Sequence, residues 1–163
     1  MEFLMAITVG HRIPPARLAE IRSGEISEIG TEDLFSGRRA VMIGVPGAYK
    51  PVCTDKHLPD FVAGADRLKR AGFDLIVCLA ANDPWTVGSW AALVDPERKI
   101  RFLSDGNLDF SRSMGLTDVR RDLYLGERTS RFLMILESAI VQRLAVEPLA
   151  ENLTRTRCSD VLL

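Results

Sequence analysis

Two kinds of apolar pattern alternate along this chain. Residues 40–45 and 73–81 form nearly continuous apolar runs, which are typical of strands covered on both faces of a sheet. Between them, the apolar residues of segment 54–71 recur at helical spacing, and Gly72 supplies a stop. This segment is predicted to be a helix whose start is kinked at Pro59, because proline removes a backbone N–H and clashes with the preceding turn.

Shorter elements complete the pattern. Asp83 is a predicted N-cap, and Pro84 at the first helical position begins a helix that reaches about Leu93. Apolar residues between polar ones over 24–36 predict short exposed strands or a hairpin. The remaining predicted elements are a strand at 100–103, a helix at 107–114, a strand hairpin at 131–136 and 140–146, and a loop with a terminal helix at 152–163. This order predicts one α/β domain with a mixed central β-sheet flanked by helices and an N-terminal β-hairpin.

Composition and charge exclude several classes of protein. The chain has 163 residues, enough for a single domain, and its net charge of −1 gives no reason to expect binding to nucleic acid or a membrane. No apolar run approaches the ~20 residues that span a bilayer, and the first residues lack the pattern of a signal peptide. Arginines are frequent, and in one loop-like region they are expected to form solvated surface: Arg112, Arg120, Arg121, Arg128 and Arg131.

The three cysteines point to thiol chemistry and not to a structural framework. Their number is odd and none forms a Cys-x-x-Cys pair, which argues against both disulfide staples and a zinc site. With only two histidines in the chain, no metal site is predicted. Free thiols predict a reducing compartment, which we expect to be the cytoplasm.

Cys53 is the cysteine whose position predicts reactivity. It follows the apolar run 40–45 and directly precedes the predicted helix, so it meets unpaired N–H groups and the positive end of that helix. Both favour the thiolate, which is the nucleophilic form of cysteine. Ligand sites in α/β sheets lie beyond the carboxyl ends of the central strands. We therefore expect Cys53 to be the centre of the functional site.

The motifs around Cys53 resemble one family. Three of them are similar to the active-site segment of type II (atypical two-cysteine) peroxiredoxins: Gly-Val-Pro-Gly-Ala-Tyr at 44–49, Pro-Val-Cys at 51–53 and His-Leu-Pro at 57–59. The similarity continues in order at 78–85, 90, 131–134 and 146–148, and so covers nearly the whole chain from about Ala6. It implies a thioredoxin-like fold and thiol-dependent reduction of hydrogen peroxide and alkyl hydroperoxides, without metal, haem or flavin. It also implies that Met1 to Leu4 are an N-terminal extension.

The same resemblance implies roles for individual residues. Cys53 would be the peroxidatic cysteine, Pro46 would shield its pocket from water, and Arg131 would hold the thiolate and orient the peroxide. Gly47 and His57 would belong to the substrate-binding site. An arginine suits its role because it stays charged and presents its donors in a fixed fork. Thioredoxin, glutaredoxin or glutathione would be the reductant, and the unit would be a homodimer.

Lys50 departs from the family pattern, which has Thr or Ser three residues before the peroxidatic cysteine. A hydroxyl accepts and donates hydrogen bonds at once, whereas an ammonium only donates. Three outcomes are open at this point. Lys50 acts as an extra cation that favours the thiolate and permits slower turnover, or it swings to solvent and leaves a gap in the hydrogen-bond network, or it marks a protein that has lost peroxidase activity.

Three further residues each have more than one interpretation. Cys78, in an apolar strand, is either a small core residue or, as in some family members, the cysteine that resolves oxidised Cys53 after local unwinding. Cys158, expected in an accessible C-terminal region, is a second candidate for resolution, and an external thiol is the third. His57 lies four residues after Cys53 and either holds the thiolate as His⁺ or anchors the helix start through a hydrogen bond.

The preferred function is a thiol-dependent peroxidase in which Cys53 passes through a sulfenic acid. The alternative is a redox-sensing or protein-interaction module that keeps a reactive Cys53 but turns over little or no peroxide, because Lys50 replaces the expected hydroxyl. A thiol–disulfide oxidoreductase is disfavoured by the absence of a Cys-x-x-Cys motif.

Overall fold

A computed structural model describes residues 6–162, and a seven-stranded sheet organises them. Its strands are β1 (Arg17–Arg22), β2 (Glu25–Gly30), β3 (Arg39–Val45), β4 (Leu75–Ala80), β5 (Arg101–Ser104), β8 (Phe132–Glu137) and β9 (Ile140–Val146). The spatial order is β2-β1-β5-β4-β3-β8-β9. The three central strands β3, β4 and β5 are parallel and the outer pairings are antiparallel, so the predicted mixed sheet is confirmed. Strands β6 (Thr117–Arg120) and β7 (Gly126–Thr129) form a separate two-stranded hairpin.

Helices cover both faces of the sheet. They are α1 (Thr31–Phe35), a π-helical turn (Cys53–His57), α2 (Leu58–Arg70), α3 (Pro84–Val94) and α4 (Asp109–Ser113), with 3₁₀ turns at Arg121–Leu123 and Cys158–Asp160. Apolar residues of α2 and α3 pack in one hydrophobic cluster, and those of α1 and α4 pack in a second. Within the described residues, no helix has the length and apolar character needed to cross a membrane.

The central strand β3 shows why its apolar run is continuous. Val41, Ile43 and Val45 face one cluster, while Ala40 and Met42 face the other, and all five are fully buried. Successive strand residues point to opposite faces, so a strand with helices on both sides needs apolar residues at every position. The predictions for this strand and for β4 are therefore confirmed.

Three predictions need correction. The N-terminal hairpin is present, but β1 and β2 form it over 17–30, and Leu34 and Phe35 lie in the buried helix α1. The hairpin of β6 and β7 was predicted as loop, because its short strands lie at the surface and carry few apolar residues. At the start of the long helix, a widened π-helical turn precedes Pro59 in place of a simple kink. The proposed extension, Met1 to Leu4, lies outside the described residues.

Candidate active site

The turn between β3 and the helix is fixed by side chains from neighbouring elements. Tyr49 adopts a left-handed conformation with φ of 63°, which is unfavourable for a residue with a Cβ. Its hydroxyl forms a 2.7 Å hydrogen bond with the Ser89 hydroxyl on α3. The Ala48 N–H donates to Asn82 Oδ1 at 2.7 Å, just beyond the end of β4. These two bonds set the direction in which the chain enters the helix that carries the thiol.

Cys53 begins the π-helical turn and is fully buried. The Leu58 N–H donates to the Cys53 carbonyl, five residues back, where an α-helix would bond four residues back. Pro59 has no N–H to donate to the preceding turn, so the helix tolerates the wider turn at this point. Cys53 and His57, four positions apart on the widened turn, both face the interior with no exposed surface.

Arg131 reaches Cys53 through the register of the sheet. Strand β8 pairs antiparallel with β3, with Phe132 opposite Gly44, so the residue before β8 lies beside the carboxyl end of β3. The buried guanidinium donates from Nη2 to Cys53 Sγ at 3.0 Å and from Nη1 to His57 Nδ1 at 2.5 Å. Its Nε donates to the Ala150 carbonyl at 2.8 Å. One planar fork therefore contacts the thiol, an imidazole and the C-terminal segment together.

His57 is a neutral imidazole in this site. Its Nε2 lies 2.7 Å from the Thr156 carbonyl, which can only accept, so Nε2 carries the proton and Nδ1 accepts from Arg131. Burial, and then the charge of Arg131, lower the pKa of His57 from 6.5 to about 3. The His⁺ interpretation is therefore wrong, and the anchoring hydrogen bond is present. The substrate-binding prediction for His57 is also corrected, because both ring nitrogens are engaged by the protein.

Glu147 orders the segment that holds His57 and Arg131. This buried carboxylate accepts hydrogen bonds from the Thr154 N–H and hydroxyl at 2.9 and 2.7 Å, from the Arg155 N–H at 2.9 Å and from the Thr156 hydroxyl at 2.8 Å. Burial alone raises the pKa of Glu147, but these bonds outweigh it and lower the pKa to about 2. The bonds fix the loop whose Thr156 carbonyl receives the His57 N–H.

Cys78 is buried on the sheet face that also carries Cys53. It lies in β4 opposite Ile43 of β3, and its side chain belongs to the same hydrophobic cluster as Cys53. Burial, and then the neighbouring Cys53 thiol, raise the pKa of Cys78 well above its usual value, and the charge of Arg131 offsets this only in part. All three cysteines are free in the structure. Cys78 is therefore a buried core residue whose thiol is protonated.

Cys158 is buried as well, which corrects the expectation of an accessible C-terminal thiol. A Cβ built on Gly64 of α2 would lie 2.3 Å from its Sγ, so this glycine provides the space into which the thiol packs. The Cys158 N–H donates to Asp60 Oδ2 at 2.7 Å. Burial, and then the charge of Asp60, raise the pKa of the Cys158 thiol, against a smaller opposing effect of Arg67.

The other predicted site residues lie in the turn before Cys53. Pro46 and Gly47 are buried. Lys50 is half-buried. Its Cδ would be 3.4 Å from a Cβ on Gly47, and among the described residues its ammonium makes no hydrogen bond or ion pair. The prediction that the arginines form solvated surface is wrong for three of them, because Arg131 is buried and Arg120 and Arg128 are half-buried. Among residues 6–162, no group of His, Cys, Asp or Glu side chains could hold a metal ion.

The sequence did not predict the Glu147 carboxylate or the two backbone carbonyls that hold Arg131 and His57 in place. Glu147, Ala150 and Thr156 come from the C-terminal segment and act through hydrogen bonds that only the fold creates. A signal did exist for the loop, since three polar residues at 154–156 follow an acidic residue at the end of a strand. Every buried side-chain nitrogen or oxygen in the described part of the chain has a hydrogen-bond partner.

Comparison with known proteins places this geometry in context. A family model described as Redoxin matches residues 8–162. Peroxiredoxin-2B of Arabidopsis thaliana is 30% identical over 157 residues, covering 96% of each chain. The structure of reduced Prx3 in complex with H₂O₂ from Vibrio vulnificus has a TM-score of 0.90 and 29% identity, covering 96% of this chain and 97% of that one. The 1-Cys peroxiredoxin of Plasmodium falciparum has a TM-score of 0.85 and 26% identity, covering 96% of each chain.

Proposed function

We infer the chemistry of the site from one premise: this chain belongs to the Redoxin family and is a peroxiredoxin, a thiol-dependent peroxidase. We propose that Cys53 is its peroxidatic cysteine. The observation that carries this proposal is the 3.0 Å contact from Arg131 Nη2 to Cys53 Sγ inside a buried site. A positive donor at this distance favours the thiolate, which is the reactive form.

In the proposed reaction, the Cys53 thiolate attacks the terminal oxygen of the peroxide. The S–O bond forms as the O–O bond breaks, and the departing oxygen leaves as alkoxide or hydroxide and takes up a proton. Arg131 is placed to stabilise the charge that grows on that oxygen. Neutral His57 accepts a hydrogen bond from the guanidinium and so orients it without adding a competing positive charge. Pro46, buried in the preceding turn, limits the access of water.

We propose an external thiol as the group that reduces the Cys53 sulfenic acid. Resolution needs a thiolate, and the raised pKa values of the Cys78 and Cys158 thiols disfavour that form. Glutathione, glutaredoxin and thioredoxin are the candidate reductants. We further propose a homodimer in the cytoplasm; the resemblance supports the dimer and the three free thiols support the reducing compartment.

Mass spectrometry tests the proposal directly. The reduced protein is treated with one equivalent of hydrogen peroxide in the presence of dimedone, and separately in the presence of glutathione. We expect the dimedone adduct and the mixed disulfide to be on Cys53. An adduct on Cys78 or Cys158 instead would refute the assignment of the peroxidatic cysteine. A Cys53–Cys78 or Cys53–Cys158 disulfide that forms despite added glutathione would refute the external thiol.

A further inference from the structure

A closed series of hydrogen bonds begins and ends at Arg131. This residue directly precedes β8, and Glu147 directly follows the antiparallel neighbour β9, so the Glu147 N–H donates to the Arg131 carbonyl at 3.0 Å. The Glu147 carboxylate accepts from the Thr156 hydroxyl at 2.8 Å. The Thr156 carbonyl lies 2.7 Å from His57 Nε2, and His57 Nδ1 lies 2.5 Å from Arg131 Nη1. These four residues, the Arg131 network, join the backbone of the arginine to its own guanidinium.

The Arg131 network is closed to solvent. Each of its four residues is at most 5% exposed. A hydrogen bond in such surroundings is stronger than in water, and a partner that loses its bond has no water to replace it. Removal of one link therefore leaves its neighbours unpaired and free to shift, and the shift is passed along the network to the guanidinium.

The charge of Arg131 is not neutralised by a carboxylate. Within residues 6–162, its guanidinium donates to a thiol, an imidazole and a backbone carbonyl, and forms no ion pair with an acidic side chain. Glu147 is a buried carboxylate of the same site, yet its hydrogen bonds go to residues 154–156. Two neutral residues stand between the two charges. The carboxylate thus orders the site while the positive charge stays available to the Cys53 thiolate.

We propose that Glu147 is a positioning residue for peroxide reduction: through the Arg131 network it holds the guanidinium in the orientation that contacts Cys53. This inference rests on the proposed role of Cys53. Glu147 does not touch the thiol, and it acts only through the residues between them. The contact that it maintains is the 3.0 Å hydrogen bond from Arg131 Nη2 to Cys53 Sγ, which a small rotation of the guanidinium would break.

Stopped-flow oxidation of the reduced full-length protein by hydrogen peroxide measures the effect on the reaction. Glu147→Ala should slow oxidation of Cys53 by about 10- to 100-fold, because a displaced guanidinium no longer meets the sulfur. Glu147→Gln should stay within about threefold of the wild type, because its amide oxygen can accept the bonds that converge on Oε2 and the Thr154 hydroxyl can turn to accept from its NH₂ group.

A second buried carboxylate supplies the matched control. Asp95, at the end of α3, is 2% exposed and accepts from the Lys99 and Ile100 N–H groups at 3.0 and 2.8 Å. It orders a loop as Glu147 does but lies outside the Arg131 network. Asp95→Ala should therefore keep the wild-type oxidation rate, with urea unfolding used to verify that each variant is folded under the assay conditions.

Thr156 offers a pair of variants that changes a single link. Thr156→Val replaces the hydroxyl that donates to Glu147 with a methyl group of similar size, whereas Thr156→Ser keeps the hydroxyl. We expect oxidation to slow severalfold in Thr156→Val and to be nearly unchanged in Thr156→Ser. This pair decides the question if Glu147→Ala does not fold.

The side-chain N–H signal of His57 gives a readout that needs no peroxide. The chain has two histidines, and His11 is exposed, so its ring protons exchange rapidly with water. The buried His57 Nε2–H is expected to give a resonance in the ¹H–¹⁵N spectrum of the reduced protein, assigned by its loss in His57→Gln. It should persist in Asp95→Ala and Glu147→Gln, and be lost or broadened in Glu147→Ala.

The outcomes separate the positioning role from the proposed function. If the wild type reacts with peroxide no faster than free cysteine, the role of Cys53 fails, and the Arg131 network is judged by the His57 signal alone. A signal or an oxidation rate that survives both Glu147→Ala and Thr156→Val overturns the positioning role. Equal slowing by Glu147→Ala and Asp95→Ala, or by Glu147→Ala and Glu147→Gln, overturns it as well.

Discussion

Lowering the pH from about 7.5 to about 4.5 should destabilise the reduced protein, chiefly through His57. The pKa of this imidazole is 6.5 when the chain is unfolded and about 3 in the folded site, where burial and Arg131 oppose protonation. Between these values the unfolded chain binds a proton that the folded protein cannot, so stability is complete above pH 6.5 and falls as the pH falls toward the folded pKa. At about 1.4 kcal/mol per pH unit, roughly 2–3 kcal/mol of unfolding free energy is lost by pH 4.5.

Above pH 4.5 the loss of stability reports on His57 and not on Glu147, the other group in the site whose pKa is strongly shifted. The pKa of Glu147 is lowered from 4.5 to about 2, so nearly all of its contribution is present above pH 4.5, and it is lost progressively as the pH falls from there through about 2. That later loss is on the order of 2–3 kcal/mol after allowance for solvent screening. Acid unfolding should therefore begin with His57 and be completed by Glu147.

Urea unfolding followed by tryptophan fluorescence measures the effect at the two pH values. His57→Gln is the informative variant, because its amide can accept from Arg131 and donate to the Thr156 carbonyl but does not titrate in this range. We expect His57→Gln to lose less than half as much stability as the wild type between the two pH values. His11→Gln, at an exposed histidine, is the control and should behave as the wild type. Equal losses in the wild type and His57→Gln would refute the neutral buried imidazole.

Three further predictions concern the thiols and the arginine. Arg131→Lys keeps the charge but not the fork, so stopped-flow oxidation of Cys53 by hydrogen peroxide should slow by about 10²-fold, and an unchanged rate would contradict the geometry. Gly64→Ala should cost about 1–3 kcal/mol of unfolding free energy, because its Cβ would meet the Cys158 thiol, and adding Cys158→Ala should restore most of it. In the folded reduced protein, iodoacetamide should modify Cys78 and Cys158 far more slowly than after unfolding in urea; equal rates would show that the thiols are accessible.

Local pattern predicted the parts of the fold and site that local forces determine. Strand β3 is apolar along its buried length because helices cover both of its faces. Cys53 follows the carboxyl end of this strand. The Asp83 cap is confirmed by the Thr86 N–H, which donates to its carboxylate at 2.8 Å. Cys53 could be selected because its position between a buried strand and a helix start is visible in the sequence.

The remaining features depend on contacts between distant parts of the chain. Arg131 is 78 residues from Cys53, and only the antiparallel register of β8 against β3 brings the two together. The neutrality of His57 follows from its contact with that arginine and from the carbonyl of Thr156, 99 residues away. Cys158 was expected to be accessible, and the glycine that gives it a buried position lies in another helix. None of these pairings leaves a periodic signal in the sequence.

We propose that Arg131 and the helix start make the Cys53 thiolate a fast nucleophile toward peroxide. The most direct test is the second-order rate constant for oxidation of the reduced protein by hydrogen peroxide, measured by stopped flow beside free cysteine and the Cys53→Ser variant. We expect a rate constant at least about 10³-fold above that of free cysteine thiolate, and no reaction in Cys53→Ser. A wild-type rate constant no greater than that of free cysteine, or an unchanged reaction in Cys53→Ser, would contradict it.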